Sequence, residues 1–239
     1  MEKVVITDIR ALRRALEGGV FVEKVVSLQG SSPPPSLWFL VKRYRLRFQQ
    51  VPSTALPKHS TWAAYLSPIR LYSLNDWLAD TPQGVALALI GLTDPWNVGA
   101  ILRSAAAFEA KWILIRAEGM PTFSSETIWR ASGGALLRLK IVRVKSVLTA
   151  LSQLKEKGWH LIATVPPHHV ESIPYTEWNW TRPFLLLIGS ERKGLPPPYL
   201  TLCENRITIP HSPYVESLNV NAATSILLAA AYHQQKNAP

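Results

Sequence analysis

A single cysteine, Cys203, stands among the 239 residues. An intrachain disulfide is therefore excluded, and a cysteine-based metal cluster lacks its ligand set. Long apolar runs are missing too. Val85–Leu92 and Phe184–Ile188 are the best candidates, and both have the length of strands, well short of the roughly 18 residues of a membrane helix. The opening residues MEKVVITDIR carry charge and no apolar core, unlike a secretory leader. His168-His169 follow Pro166-Pro167 without further ligands at metal-site spacing, so they are expected on the surface rather than around a metal. No Gly-x-Gly-x-x-Gly follows the first strand of the second part, which argues against a nucleotide-dependent oxidoreductase. The expectation is a cytoplasmic protein with no metal and no membrane segment.

What is abundant is positive charge. Lys and Arg outnumber Asp and Glu by 26 to 16, for a net charge of +10 and a pI near 9.9. Charged residues make up 18% and hydrophobic residues 47%, a folded composition whose charge excess points to a polyanion. Residues 1–80 hold 11 of the Lys/Arg and 6 of the Asp/Glu. Their middle reads as loop, with Ser31-Ser32-Pro33-Pro34-Pro35, Pro52, Pro57 and Pro68. Thr81-Pro82-Gln83-Gly84 is a breaker ahead of an apolar strand. A boundary near residue 80 is expected, separating a small α/β RNA-binding unit at 1–80 from a larger unit at 81–239.

In the first unit, Thr7 or Asp8 can cap a helix through Leu16 that Gly18-Gly19 ends. A strand over Phe21–Leu28, a helix over Leu37–Lys42 and a strand over Arg45–Val51 follow. On that last strand Arg45 and Arg47 share one face, and Leu46 and Phe48 the other. The second unit alternates. Strands are predicted at Val85–Leu92, Trp112–Arg116, Lys140–Val144, His160–Val165, Phe184–Gly189 and Arg206–Pro210. Helices are predicted at Asn97–Ala110, Ser146–Lys157, near Tyr199 and over Leu218–Gln234. The pattern predicts an α/β fold with a mostly parallel sheet covered on both faces. Ligands of such sheets bind beyond the carboxyl ends of strands, which singles out the loops after Leu92, Ile188 and Ile209.

The first loop runs from Thr93 to Arg103. Asp94-Pro95 makes a turn, Asn97 suits a helix N-cap, and Arg103 lies off the apolar stripe of Val98, Ile101, Leu102, Ala105 and Phe108. The second is Gly189-Ser190-Glu191-Arg192-Lys193-Gly194. Glycine after a buried strand lets a ligand approach the backbone, and Glu191 is a lone acceptor beside two cations. The third follows Ile209-Pro210 and contains Glu216-Ser217-Leu218-Asn219-Val220-Asn221. Ser217 can cap the final helix, and the Asn219 amide can both donate and accept. Taken singly, each loop also fits an ordinary turn, a capped helix or a surface arginine.

In this order and spacing, over residues 83–236, the three loops resemble the motifs of the SpoU/TrmH family of SPOUT methyltransferases. Residues 1–80 more loosely resemble the ribosomal-protein-like RNA-binding domain of many rRNA-modifying members. The resemblance implies S-adenosylmethionine as cofactor, transfer of its methyl to a ribose 2′-OH of structured RNA, a C-terminal trefoil knot and a homodimer with active sites near the interface. It implies rRNA in preference to tRNA. Residue by residue, it implies that Arg103 is the catalytic arginine, that Asn97, Glu191, Ser217 and Asn219 line the site, and that Gly189, Ile209 and Leu218 hold the cofactor. Glu109 stands where the family commonly has glycine, and Asn221 where it commonly has serine. Arg45 and Arg47 are the expected RNA contacts, with Trp38 and Tyr44 available to stack on bases. A guanidinium holds its proton to above about pH 12, so positioning a phosphate is a chemically easier role for Arg103 than acting as base. A tRNA ribose 2′-O-methyltransferase and a non-catalytic RNA-binding assembly factor on the same fold are the alternative readings.

Overall fold

The computed structural model describes residues 4–67, 69–123, 125–169 and 171–237; Pro68, one of the loop prolines above, lies outside the described residues. The chain opens with β1 (Val4–Ile6), α1 (Ile9–Glu17), β2 (Val22–Leu28), α2 (Pro35–Arg43), β3 (Phe48–Val51) and β4 (Trp62–Leu66). These strands form one sheet in the order β1-β4-β2-β3. Helix α1 starts at Asp8, whose carboxylate accepts from Ala11 N at 2.8 Å, and ends at Gly18. Its Ala11, Leu12, Ala15 and Leu16 are buried, as their helical spacing requires.

Two expectations for this unit need correction. Pairing of β3 begins only at Phe48, because α2 is followed by Arg45 in the left-handed conformation, φ 51°. Arg45 and Arg47 therefore do not lie on a strand, although both are exposed while Leu46 and Phe48 pack against the core. In addition, β4 sits inside what reads as a proline-rich loop. It pairs with both β1 and β2, and its Trp62, Ala63, Ala64 and Leu66 are buried.

The rest of the chain builds a second sheet. Its elements are β5 (Leu71–Tyr72), α3 (Leu74–Ala79), β6 (Val85–Leu89), α4 (Pro95–Ala107), β7 (Trp112–Arg116), α5 (Glu126–Ser132), β8 (Lys140–Val144), α6 (Val147–Glu156), β9 (His160–Thr164), β10 (Ile173–Pro174), β11 (Phe184–Ile188), α7 (Pro197–Leu202), β12 (Asn205–Thr208) and α8 (Val220–Lys236). The strand order is β10-β12-β9-β11-β6-β7-β8-β5, and every pairing is parallel. The fold is α/β with a parallel sheet. A division at residue 80 cuts through it, since β5 pairs with β8 and Trp77 of α3 is fully buried in the second unit. The chain passes from one sheet to the other between Leu66 and Leu71.

Side-chain alternation sorts the strands into two cores. Val85, Leu87 and Leu89 of β6, with Phe184, Leu186 and Ile188 of β11, face α4, α5 and α8. Ala86, Ala88, Leu185 and Leu187 face α3, α6 and α7. The first core continues without a break into the N-terminal unit, so the units share apolar packing. On the second face Trp77 stacks on Trp112 at 5.1 Å and meets Trp159 edge-on at 5.6 Å. Among the described residues, no helix is long and apolar enough to cross a membrane.

Candidate active site

The start of α4 is set by Asp94, not by Asn97. The Asp94 carboxylate accepts from Trp96 N at 3.1 Å and Asn97 N at 3.3 Å, and Pro95 occupies the first helical position, where its missing N–H costs nothing. Asn97 is thereby placed in the first turn, its side chain not used in capping. The start of α8 corrects a second cap. Asn219 Oδ1 accepts from Asn221 N at 2.9 Å and Ala222 N at 3.4 Å, whereas Ser217 is exposed two residues earlier. Asn219 does both things its amide allows, capping with its oxygen and donating with its nitrogen.

Those two helix starts meet the loop after β11. Asn97 Nδ2 donates to Glu191 Oε1 at 2.7 Å, and Asn219 Nδ2 donates to Asn97 Oδ1 at 3.2 Å. The direction of the chain follows from chemistry. An ionised carboxylate only accepts, so Asn97 must turn its NH2 to Glu191 and its oxygen to Asn219. Asn219 must then offer its NH2, leaving its oxygen for the helix N–H groups. Three segments distant in sequence are tied together by this relay.

Beside it lies a cavity of about 400 Å³ lined by Gly189, Glu191, Ile209, Ser217 and Leu218, with apolar walls from Leu195, Ile207 and Leu227. The strand-end glycine is required by the chain itself rather than by a ligand. Ser190 and Gly194 exchange backbone hydrogen bonds of 3.2 and 2.9 Å, and a Cβ on Gly189 would fall 2.4 Å from the carbonyl carbon of Gly194. The hairpin closes only over a residue with no side chain. Pro166-Pro167-His168-His169 line the same cavity. Sequence reasoning missed them, although this loop also leaves the carboxyl end of a parallel strand, β9, the signal that singled out the others.

Arg103 stands apart. It is exposed on α4 and lines a second cavity, of about 450 Å³, that shares no residue with the first. Its neighbour Ser104 instead ties α4 to α8, through Ser225 Oγ at 2.8 Å and Asn221 Oδ1 at 3.3 Å. Of the expected site residues, seven gather at the relay and the first cavity, and Arg103 does not.

The sequence profile of the SpoU rRNA Methylase family matches residues 84–229. The chain belongs to that family. It is 31% identical over 196 residues to an uncharacterized tRNA/rRNA methyltransferase of Mycobacterium leprae, an alignment covering 78% of this chain and 62% of that protein. The chain thus spans less than two thirds of that relative. Among solved structures, the SpoU methyltransferase AviRb of Streptomyces viridochromogenes in complex with AdoMet superposes with a TM-score of 0.78 at 22% identity, covering 99% of this chain and 92% of AviRb. At that identity the likeness concerns the fold. An RNA 2′-O ribose methyltransferase superposes at 0.75 with 25% identity, over 98% and 89% of the two chains.

The two departures from the SpoU motifs have local explanations. Glu109, at the position where glycine is implied, adopts φ 58° at the end of α4 and pairs with Lys236 Nζ at 3.0 Å. The left-handed turn is kept with a residue that disfavours it. Asn221 keeps a polar contact between α8 and α4, through Ser104.

Proposed function

We propose that this chain transfers the methyl group of S-adenosylmethionine to the 2′-OH of a ribose in structured RNA, rRNA rather than tRNA. The observation that carries the reading is the Glu191–Asn97–Asn219 relay at the rim of a cavity lined by Gly189, Ile209 and Leu218. A volume of about 400 Å³ lies within the roughly 300–1,000 Å³ of small-molecule sites. Its mix of loop backbone, aliphatic walls and a few polar groups suits a nucleoside with an amino-acid tail. Gly189, Ile209 and Leu218 would hold that donor, which supplies a methyl carbon on a sulfonium leaving group.

The chain's own residues supply orientation and charge. Alignment of nucleophile and methyl carbon contributes several kcal/mol, up to roughly 7–11 in ideal cases. Arg103 holds the phosphate beside the target ribose and stabilises charge on the oxygen as its proton leaves. The relay keeps Asn219 and Glu191 fixed while this happens. Because Arg103 lines a cleft separate from the donor cavity of its own chain, the reading places the reaction in a homodimer. Exposed Trp96, Tyr214 and Val215 near the relay support a covered face there. A trefoil crossing of the last segment through a preceding loop belongs to the same proposal, supported by the segments after β11 and β12 lining one cavity. Arg45 and Arg47, exposed beside Lys42 and Arg43, serve as RNA contacts of the N-terminal unit, whose presence favours rRNA.

Labelled donor incubated with the protein and separated rRNA and tRNA tests the proposal. A label mapped to a ribose 2′-oxygen of rRNA is expected. A label on tRNA moves the substrate, and a label on a base overturns the chemistry. RNA binding without donor binding by calorimetry would favour the assembly-factor reading.

A further inference from the structure

The second cavity lies at the seam of the two units. Arg14 and Glu17 of α1 enter from one side, and Arg103 of α4 with Gly133, Gly134 and Arg138 from the other. All three arginines are exposed. Among the described residues none of them pairs with a carboxylate; the ion pairs are formed elsewhere, by Asp80, Glu109, Glu171 and Glu204. Three cations thus face one acid, Glu17.

Arg14 lies against a glycine turn of the second unit. Gly133 and Gly134 are both left-handed, at φ 59° and 80°, and an ideal Cβ on Gly133 would fall 2.4 Å from Nη1 of Arg14. The guanidinium thus packs directly on the backbone of this turn. The glycine turn also seats α1, since a Cβ on Gly134 would come 3.5 Å from Cβ of Arg14. Guanidinium groups match phosphate oxygens in a planar fork, and three of them spread across two units form a track rather than a pocket for one small anion.

We propose that this seam cleft binds the phosphodiester backbone of the substrate RNA, with Arg14 and Arg138 as phosphate ligands flanking Arg103. The inference rests on the RNA reading above and adds two positioning residues to it. Because Arg14 belongs to α1 and Arg103 to α4, the nucleotide presented at Arg103 depends on both units.

The test compares Arg14→Ala, Arg138→Ala, their double variant and the corresponding lysine variants. Arg182→Ala, exposed and outside both cavities, is the charge control. Affinity for an rRNA fragment is read by fluorescence anisotropy across a KCl series, donor affinity by calorimetry, and methyl transfer as KM and kcat. For the double variant we expect roughly tenfold weaker RNA binding and a salt slope shallower by about 2, near 1 per lost phosphate contact. The lysine pair should recover most of the salt slope, with KM rising more than kcat falls and donor affinity unchanged. Losses equal to those of Arg182→Ala would overturn the proposal, as would an unchanged slope or a change of oligomeric state without loss of RNA affinity. Arg138→Ala, at an exposed side chain ending a short 3-10 turn, keeps the test decisive if changes at Arg14 loosen the seam. Cleft-dependent RNA binding without methyl transfer would sink the enzymatic reading alone, and methyl transfer indifferent to the cleft would sink this inference alone.

Discussion

The two cavities of this protein differ in how their polar groups are satisfied. At the first, Asn97, Asn219 and Glu191 bond to one another or to a helix N-terminus. At the second, Arg14, Arg103 and Arg138 meet no carboxylate among the described residues. A satisfied network holds its shape in advance, as recognition of a small ligand requires. Unpaired cations hold a charge in waiting, as recognition of a polyanion requires. Lys111 and Lys140, by contrast, share the carboxylate of Asp80, each at 3.1 Å.

If the contrast is functional, damage to each cavity should separate. Arg103→Ala should give the largest effect, a loss of about 10²–10³ in methyl transfer with donor affinity near wild type. Full single-turnover activity in that variant would end the assignment. Gly189→Ala should do the reverse. Its Cβ meets the Gly194 backbone, overpacking of this kind costs about 1–3 kcal/mol, and calorimetry should show donor affinity down by roughly tenfold or more with RNA affinity kept. Asn219→Ala removes both a cap and a relay member. We expect about 1 kcal/mol of lost stability in urea melts, accompanied by a lower kcat. A variant that loses stability but keeps kcat would reduce the relay to scaffolding.

The smallest effect concerns the paired cations. Hydrogen bonds from Lys111 and then Lys140 hold the Asp80 carboxyl below its ordinary value of 3.8. A depressed folded value contributes stability that is present above the unfolded value and is lost as pH falls through the folded one. Asp80→Asn should therefore flatten the acid limb of stability below about pH 4. An identical limb in the two proteins would show that the pairing is only superficial. Cys203 should stay unalkylated at pH 8, because burial pushes its thiol up to about 12.

Much of the second unit can be read from the residues. Runs such as Val85–Leu89 and Phe184–Ile188 are buried on both faces and announce parallel strands. Local reading fails where two signals compete for one position. Asp94 and Asn97 both suit a cap, and so do Ser217 and Asn219; the geometry of the first turn chose Asp94 and Asn219. It fails again at Trp62–Leu66, where flanking prolines suggest a loop, although pairing on both edges makes a central strand.

The amino-acid order alone determined the α/β alternation, the apolar stripes of the helices and the three polar loops, because each depends on neighbours within a few residues. Only the tertiary structure decided that Asn97 reaches Glu191 and Asn219 while Arg103 joins Arg14 and Arg138. Those contacts join residues as far as 122 positions apart, and which face of α4 meets which loop is settled by the packing of whole elements. No local pattern carries that information.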